Sequence, residues 1–185
     1  EDVPLDIYPG VVQVKTSHFL DANSLGQAVH QSLYGTALQA FDNDLVTAAQ
    51  EGAGVSVTGA ASAATIAEAQ AAIMASGFSP NLIIVSPGDY GTIVGTSTSS
   101  LMVGGNDARD AQLMMFGAKL VVSSALDTGS AVVLDRSAVV AVEHEDSPVA
   151  LLDVNARTNS TDVVVELIAA AYVSRPDGVC SIAAA

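Results

Sequence analysis

The residues able to do chemistry are few and badly spaced for it. The histidines are His18, His30 and His144, and Cys180 is the lone cysteine. No two of these stand at a metal-ligand spacing, and a single thiol cannot build a zinc site. The densest ionisable run is Glu143-His144-Glu145-Asp146. A histidine among carboxylates is a residue type suited to acid–base work, but the same run reads as a solvated strand end entering a polar loop. Asp42-Asn43-Asp44 opens like a calcium loop, yet the glycine and the closing glutamate fall at the wrong positions. Ser86-Pro87-Gly88 lacks the nucleophile-elbow pattern and reads as a helix cap. No Gly-x-x-x-x-Gly-Lys occurs, and the Gly52–Gly59 cluster breaks the dinucleotide spacing. That leaves Asn106-Asp107-Ala108-Arg109-Asp110, a polar loop that could hold a ligand, form a surface tip, or meet a neighbouring subunit's acid through Arg109. Asn106, Asp107, Arg109 and Asp110 are the candidate contact residues. No catalytic, cofactor or metal residue is assigned.

The elements that position these residues are legible from periodicity. Val11–Thr16 reads as a strand after the breakers Pro4, Pro9 and Gly10. Ser24 with Gln27 fits a capping box, and Leu25, Val29, Leu33, Ala37, Phe41, Leu45 and Ala48 recur as one helical stripe. A single helix over Ser24–Gln50 would be roughly 40 Å long. Gly52–Ala64 reads as a small-residue connection. Thr65 with Glu68 suggests a second capping box, and Gly77 sits where a left-handed C-cap belongs, with Phe78 folding back on Ile73 or Met74. Leu82–Val85 is apolar on both faces, the mark of a central strand, so Ile83 and Val85 are expected to be buried. Ser86, Pro87 and Asp89 then cap and open a short helix through Ile93. Gly95–Asp110 reads as loop, Lys119–Ser123 and Ala131–Asp135 as strands, and Ser137–Glu143 and Thr161–Val173 as a second strand set. A polar excursion, Glu145–Ser160, joins that last pair, and Pro176-Asp177-Gly178 closes the ordered pattern.

The bulk composition narrows the class. Half of the 185 residues are hydrophobic and 14% are charged, so the chain can bury a core. Aromatics make up 4% and Trp is absent, which suits packed sheets better than an aromatic-lined pocket. The net charge of −14 repels phosphate backbones, so sequence-specific nucleic-acid binding is not expected. One cysteine cannot form an intramolecular disulfide, and no apolar run reaches the roughly 18 residues a membrane helix needs. The chain opens at Glu1 with no charged-then-apolar leader, and a segment ahead of it is expected to have been removed.

The order of these elements resembles the major capsid proteins of tailed double-stranded-DNA bacteriophages. Val12–Leu20 followed by Ser24–Gln50 resembles the extended strand, Ser-rich turn and long spine helix of that family. Thr65–Val94, with Phe78–Pro87 inside it, is similar to its helix, strand and Pro-containing turn. Phe116–Ser123, Ala131–Asp135 and a last long strand ending in Arg175-Pro176 also resemble family segments. The resemblance implies an α+β fold with a long spine helix, a peripheral sheet lobe and an axial α/β lobe. It divides the chain into 1–20, the returning strand of an extended loop; 21–61 with 136–185, the peripheral lobe; and 62–135, the axial lobe. It implies a non-enzymatic, cofactor-free subunit that self-assembles into pentamers and hexamers of an icosahedral shell around double-stranded DNA, in the host cytoplasm, without a membrane. It also puts the Gly95–Asp110 loop near the five- or six-fold axis. Lys15 and Lys119 offer no counterpart to the cross-linking lysine of some relatives.

A close variant and two other classes stand beside this one. An encapsulin-like shell shares the fold and encloses cargo enzymes in place of a genome. An independent acidic binding module would use Gly95–Asp110 and remain a monomer, and an enzyme would need a pocket around Glu143-His144-Glu145.

Overall fold

The computed structural model describes residues 4–15, 23–96, 101–104, 112–155, 157–158 and 160–183. In chain order the elements are β1 (Asp6–Lys15), α1 (Asn23–Glu51), β2 (Val55–Thr58), α2 (Ala63–Ala75), β3 (Leu82–Val85), α3 (Pro87–Thr96), β4 (Leu101–Gly104), β5 (Gln112–Met115), β6 (Ala118–Val122), β7 (Ala131–Leu134), β8 (Val139–Glu143), β9 (Val149–Asn155), β10 (Ser160–Val173) and β11 (Val179–Ala183). The fold is α+β, as expected. The chain divides into two compact units, 1–42 with 141–170, and 43–140 with 171–185.

In the first unit β10 is the spine of a four-stranded sheet, with β1 antiparallel along one edge and β9 and β8 along the other. Alternation decides its faces. Val163, Val165, Leu167 and Ala169 are buried, while Val164, Glu166 and Ile168 between them are half-buried. The buried row packs with Tyr8 of β1 and with Leu33 and Ala37 of α1 in two adjoining clusters. Phe41 meets Tyr8 edge-on at 5.5 Å between ring centroids. Gly10 is what lets strand and helix come this close, because a Cβ there would lie 2.5 Å from the Leu33 carbonyl oxygen.

The second unit is built on a seven-stranded mixed sheet in the order β2-β11-β7-β3-β6-β5-β4. The β2–β11 and β3–β6 pairs are parallel, and the β11–β7, β7–β3, β6–β5 and β5–β4 pairs are antiparallel. Both faces of its centre are covered. Ile83, Val85, Ala131, Val133, Cys180 and Ile182 pack with Ile66 and Ile73 of α2 on one side. Ile84, Val132, Leu134 and Val179 pack with Val46, Ala49 and Leu126 on the other. Ile83 and Val85 are 0% exposed, as a strand apolar on both faces requires.

Several local expectations change. α1 is one unbroken helix over Asn23–Glu51, but the buried residues of its second half are Val46 and Ala49, with Leu45 and Ala48 only half-buried. Val46 lies roughly 220° round the helical wheel from Leu33 at about 100° per residue, so a second arc replaces the single expected stripe. Leu25, Val29, and the Ser24 and Gln27 capping pair fall outside the described side chains. The α2 capping box is Ser62 with Thr65: Thr65 N donates to Ser62 Oγ (3.3 Å) and Ser62 N to Thr65 Oγ1 (2.9 Å). Threonine here takes the place of the usual Glu or Gln, which is why the Thr65/Glu68 pairing was one turn out of register. The C-terminal end is as read: Gly77 has φ +86, Gly77 N bonds Met74 O, and Phe78 N bonds Ile73 O, the Schellman pattern.

Strands also appear where loops were expected. Val55–Thr58 is β2, Leu101–Gly104 is β4 paired with β5, Val149–Asn155 is β9, and Val179–Ala183 is β11. These runs are short, and each is bounded by turn residues that outweighed its β-branched content in the sequence.

Candidate subunit interface

The candidate contact residues Asn106, Asp107, Arg109 and Asp110 lie outside the described residues. The strands on either side of them are described. β4 and β5 pair antiparallel with Gly104 opposite Gln112, and they form the β4 end of the seven-stranded sheet. The candidate loop therefore joins the two outermost strands on that side. Sheet edges offer unpaired backbone groups to a partner chain and have to be paired or covered.

Where β3 and β6 begin and β7 ends, a set of hydrogen bonds fixes the local geometry. Asp135 accepts from Ser137 N (2.9 Å), Ser79 N (3.1 Å) and Asn81 Nδ2 (3.4 Å). Asn81 Oδ1 in turn accepts from Arg136 N (3.1 Å), and Asn81 O from Lys119 N (3.0 Å). The bond from Ser137 N, reinforced by those from Ser79 and Asn81, holds the Asp135 carboxyl below the usual aspartate range.

Asp89 plays the matching role inside. Its Oδ2 accepts from Ser86 Oγ (2.7 Å) and Gly129 N (2.6 Å), and Asp89 N donates to Ser86 Oγ (3.2 Å). Ser86 is thus the cap of α3, as its Ser-Pro-Gly sequence suggests, and Asp89 ties that cap to the turn before β7.

The first unit presents a different surface. The register puts Val11, Val164 and Leu151 in one cross-strand row on the face away from α1, and Ile7 opposite Ile168 in another. Ile7 is 58% exposed, Val11 61% and Leu151 48%. The solvated face of an antiparallel sheet is ordinarily polar, and apolar rows there mark contact surfaces. The row Gln13–Asp162–Asp153 beside them sets two carboxylates directly opposite each other, an arrangement unfavourable for an isolated sheet.

His144 and Asp146 form an exposed pair at 3.8 Å, and Asp146 N donates to His144 Nδ1 (3.2 Å). No group of three His, Cys, Asp or Glu side chains able to hold a metal ion occurs among the described residues. Cys180 is buried, and burial, together with the charge of Glu68, pushes its thiol up to about 11. No described helix is long and apolar enough to cross a membrane.

A family model described as phage capsid protein matches residues 20–182. The chain belongs to the phage capsid protein family. Solved structures agree on the fold of this capsid subunit. The SrpI encapsulin of Synechococcus elongatus aligns over 97% of this chain and 73% of its own, at 14% identity and a TM-score of 0.76. A virus-like particle from Pyrococcus furiosus covers 97% of this chain and 76% of its own, at 10% identity and a TM-score of 0.70. A chain of Mycobacterium phage Che8 covers 96% and 70%, at 19% identity and a TM-score of 0.65. No curated protein matches the sequence. The fold is that of tailed-phage capsid proteins, shared with encapsulins, and the protein is a structural capsid subunit.

Proposed function

We propose that this subunit assembles with copies of itself into pentamers and hexamers of a closed icosahedral shell around double-stranded DNA, in the cytoplasm of the host. The observation that carries this reading is the family match over residues 20–182, because it takes in all three helices and every strand of both sheets except β1. The work of such a protein is done by its shape, and no catalysis is proposed for it. The charge of −14 supports an inner wall that does not hold packaged DNA. In this reading 62–135 builds the axial lobe, 21–61 with 136–185 the peripheral lobe, and 1–20 the returning strand of the extended loop. Asn106, Asp107, Arg109 and Asp110 lie near the symmetry axis, where Arg109 pairs with an acid of the adjacent copy.

Electron microscopy of the full-length protein tests the assembly, with closed shells expected. The encapsulin likeness supports a second reading, a shell around protein cargo. Nuclease-protected DNA inside purified particles is expected for the first reading, and co-purifying protein cargo without DNA for the second. R109E should leave the unassembled subunit's melting temperature within about 1 °C while reducing shell yield; shells at wild-type yield would remove Arg109 from the contact.

A further inference from the structure

Phe116 is the one non-glycine residue with a left-handed backbone among the described residues, at φ +49. Together with Gly117, at φ +83, it makes the two-residue connection between β5 and β6, where Met115 pairs with Ala118. Positive φ at both central positions is what a type I′ hairpin requires, and that turn matches the twist of the strands. Asn, Asp or Gly fill the first position comfortably. A bulky side chain there crowds its own backbone. Burial does not compensate, because Phe116 is 44% exposed. Phe41 and Phe78 instead pack against hydrophobic clusters, in a chain with only four Phe and no Trp.

The base of the turn is rigid. Met115 and Ala118, on either side, are 0% exposed, and Lys119 N is bonded to Asn81 O at 3.0 Å. The result is an aromatic ring held outward on a fixed stem, in a conformation that costs the subunit stability. Strain of this kind points to a use outside the subunit's own fold.

We infer that Phe116 is an assembly anchor, a knob that inserts into an apolar notch on a second copy of this chain. The inference rests on the shell reading above. Charge selects the occupant: each copy has 20 acids and six bases, so a close contact between copies is favoured where charge is absent, and Met114-Met115-Phe116-Gly117-Ala118 carries none. Rings of subunits also need heterologous contacts, in which a projection on one copy meets a recess on the next. Large aromatics at the centre of such contacts carry a disproportionate share of the binding.

The test uses the full-length protein and two variants, F116N and F116Y. F116N puts the residue favoured by the turn at that position, so the unassembled subunit should melt at the same temperature or a few degrees higher. Its assembled fraction, by sedimentation and electron microscopy, should fall at least about tenfold. F116Y keeps the ring and should assemble within about twofold of wild type. Wild-type shell yield from F116N would overturn the inference and leave the shell reading intact. A lower melting temperature for F116N would show that the ring packs within its own subunit, and would also overturn it. A wild-type protein that stays monomeric would overturn the shell reading and the inference together.

Discussion

Asp89 is only 9% exposed, and its Oδ2 holds Ser86 Oγ and Gly129 N at once. Replacing it with Ala leaves the Gly129 N–H without its partner and should cost about 1–3 kcal/mol. In a domain of this size that lowers the melting temperature by about 2–4 °C per kcal/mol, read by thermal denaturation of the unassembled subunit. Asp135 titrates in the opposite setting, at the surface. Its folded-state pKa lies below the unfolded value because Ser137 N, Ser79 N and Asn81 donate to the carboxylate. Its contribution is therefore present above the unfolded pKa of about 3.9, and is lost as pH falls through the lower folded value. D135N should melt below wild type near pH 7, and the gap should close as the pH drops below about 4. Cys180, with its thiol raised to about 11 by burial and by Glu68, should resist iodoacetamide at pH 8 in the folded protein and react once urea unfolds it. Modification of the native protein at the unfolded rate would contradict its burial.

At the scale of elements, segments with strong end signals were readable. Ser86-Pro87 opens α3, Gly77-Phe78 closes α2, and Leu82–Val85 is a central strand. Segments defined only by their partners were not. β11 acquires its place from β2 and β7, and its five residues, Val-Cys-Ser-Ile-Ala, carry no period long enough to declare a strand. β9 exists because β10 is long enough to pair with it over Ser160–Glu166, and nothing local separates it from the polar stretch around it. The second arc of α1 had the same origin, since tertiary partners choose which residues of a weakly patterned helix are buried. Phe116-Gly117 was hidden because β5 was not recognised as a strand, so its two-residue turn could not be seen. The close approach of β1 to α1 gives the sharpest test at this scale. Gly10→Ala places a Cβ 2.5 Å from Leu33 O, and overpacking against backbone should destabilise by about 1–3 kcal/mol. An unchanged melting temperature would mean that strand and helix do not touch there.

For the whole molecule, the order of elements was more telling than any one motif, which is why the family was visible without a signature sequence. Copies at −14 each repel one another through solvent. Raising salt from about 0.05 to about 0.5 M shortens the screening length from about 14 to about 4 Å, so light scattering should show assembly beginning at lower protein concentration in high salt. An onset that moves the other way would mean that ion pairs dominate the contacts. The sheet order has a further consequence, in the timing of synthesis. β11 lies between β2 and β7, joining a strand made early to one made much later, and it is itself the last of the described strands to leave the ribosome. Until Val179–Ala183 emerges, β2 has no neighbour in the sheet and β7 has a bare edge. A chain halted before Val179 therefore cannot complete this sheet, and its bare strand edge leaves it prone to aggregate as a monomer before it could be built into a particle as a faulty tile.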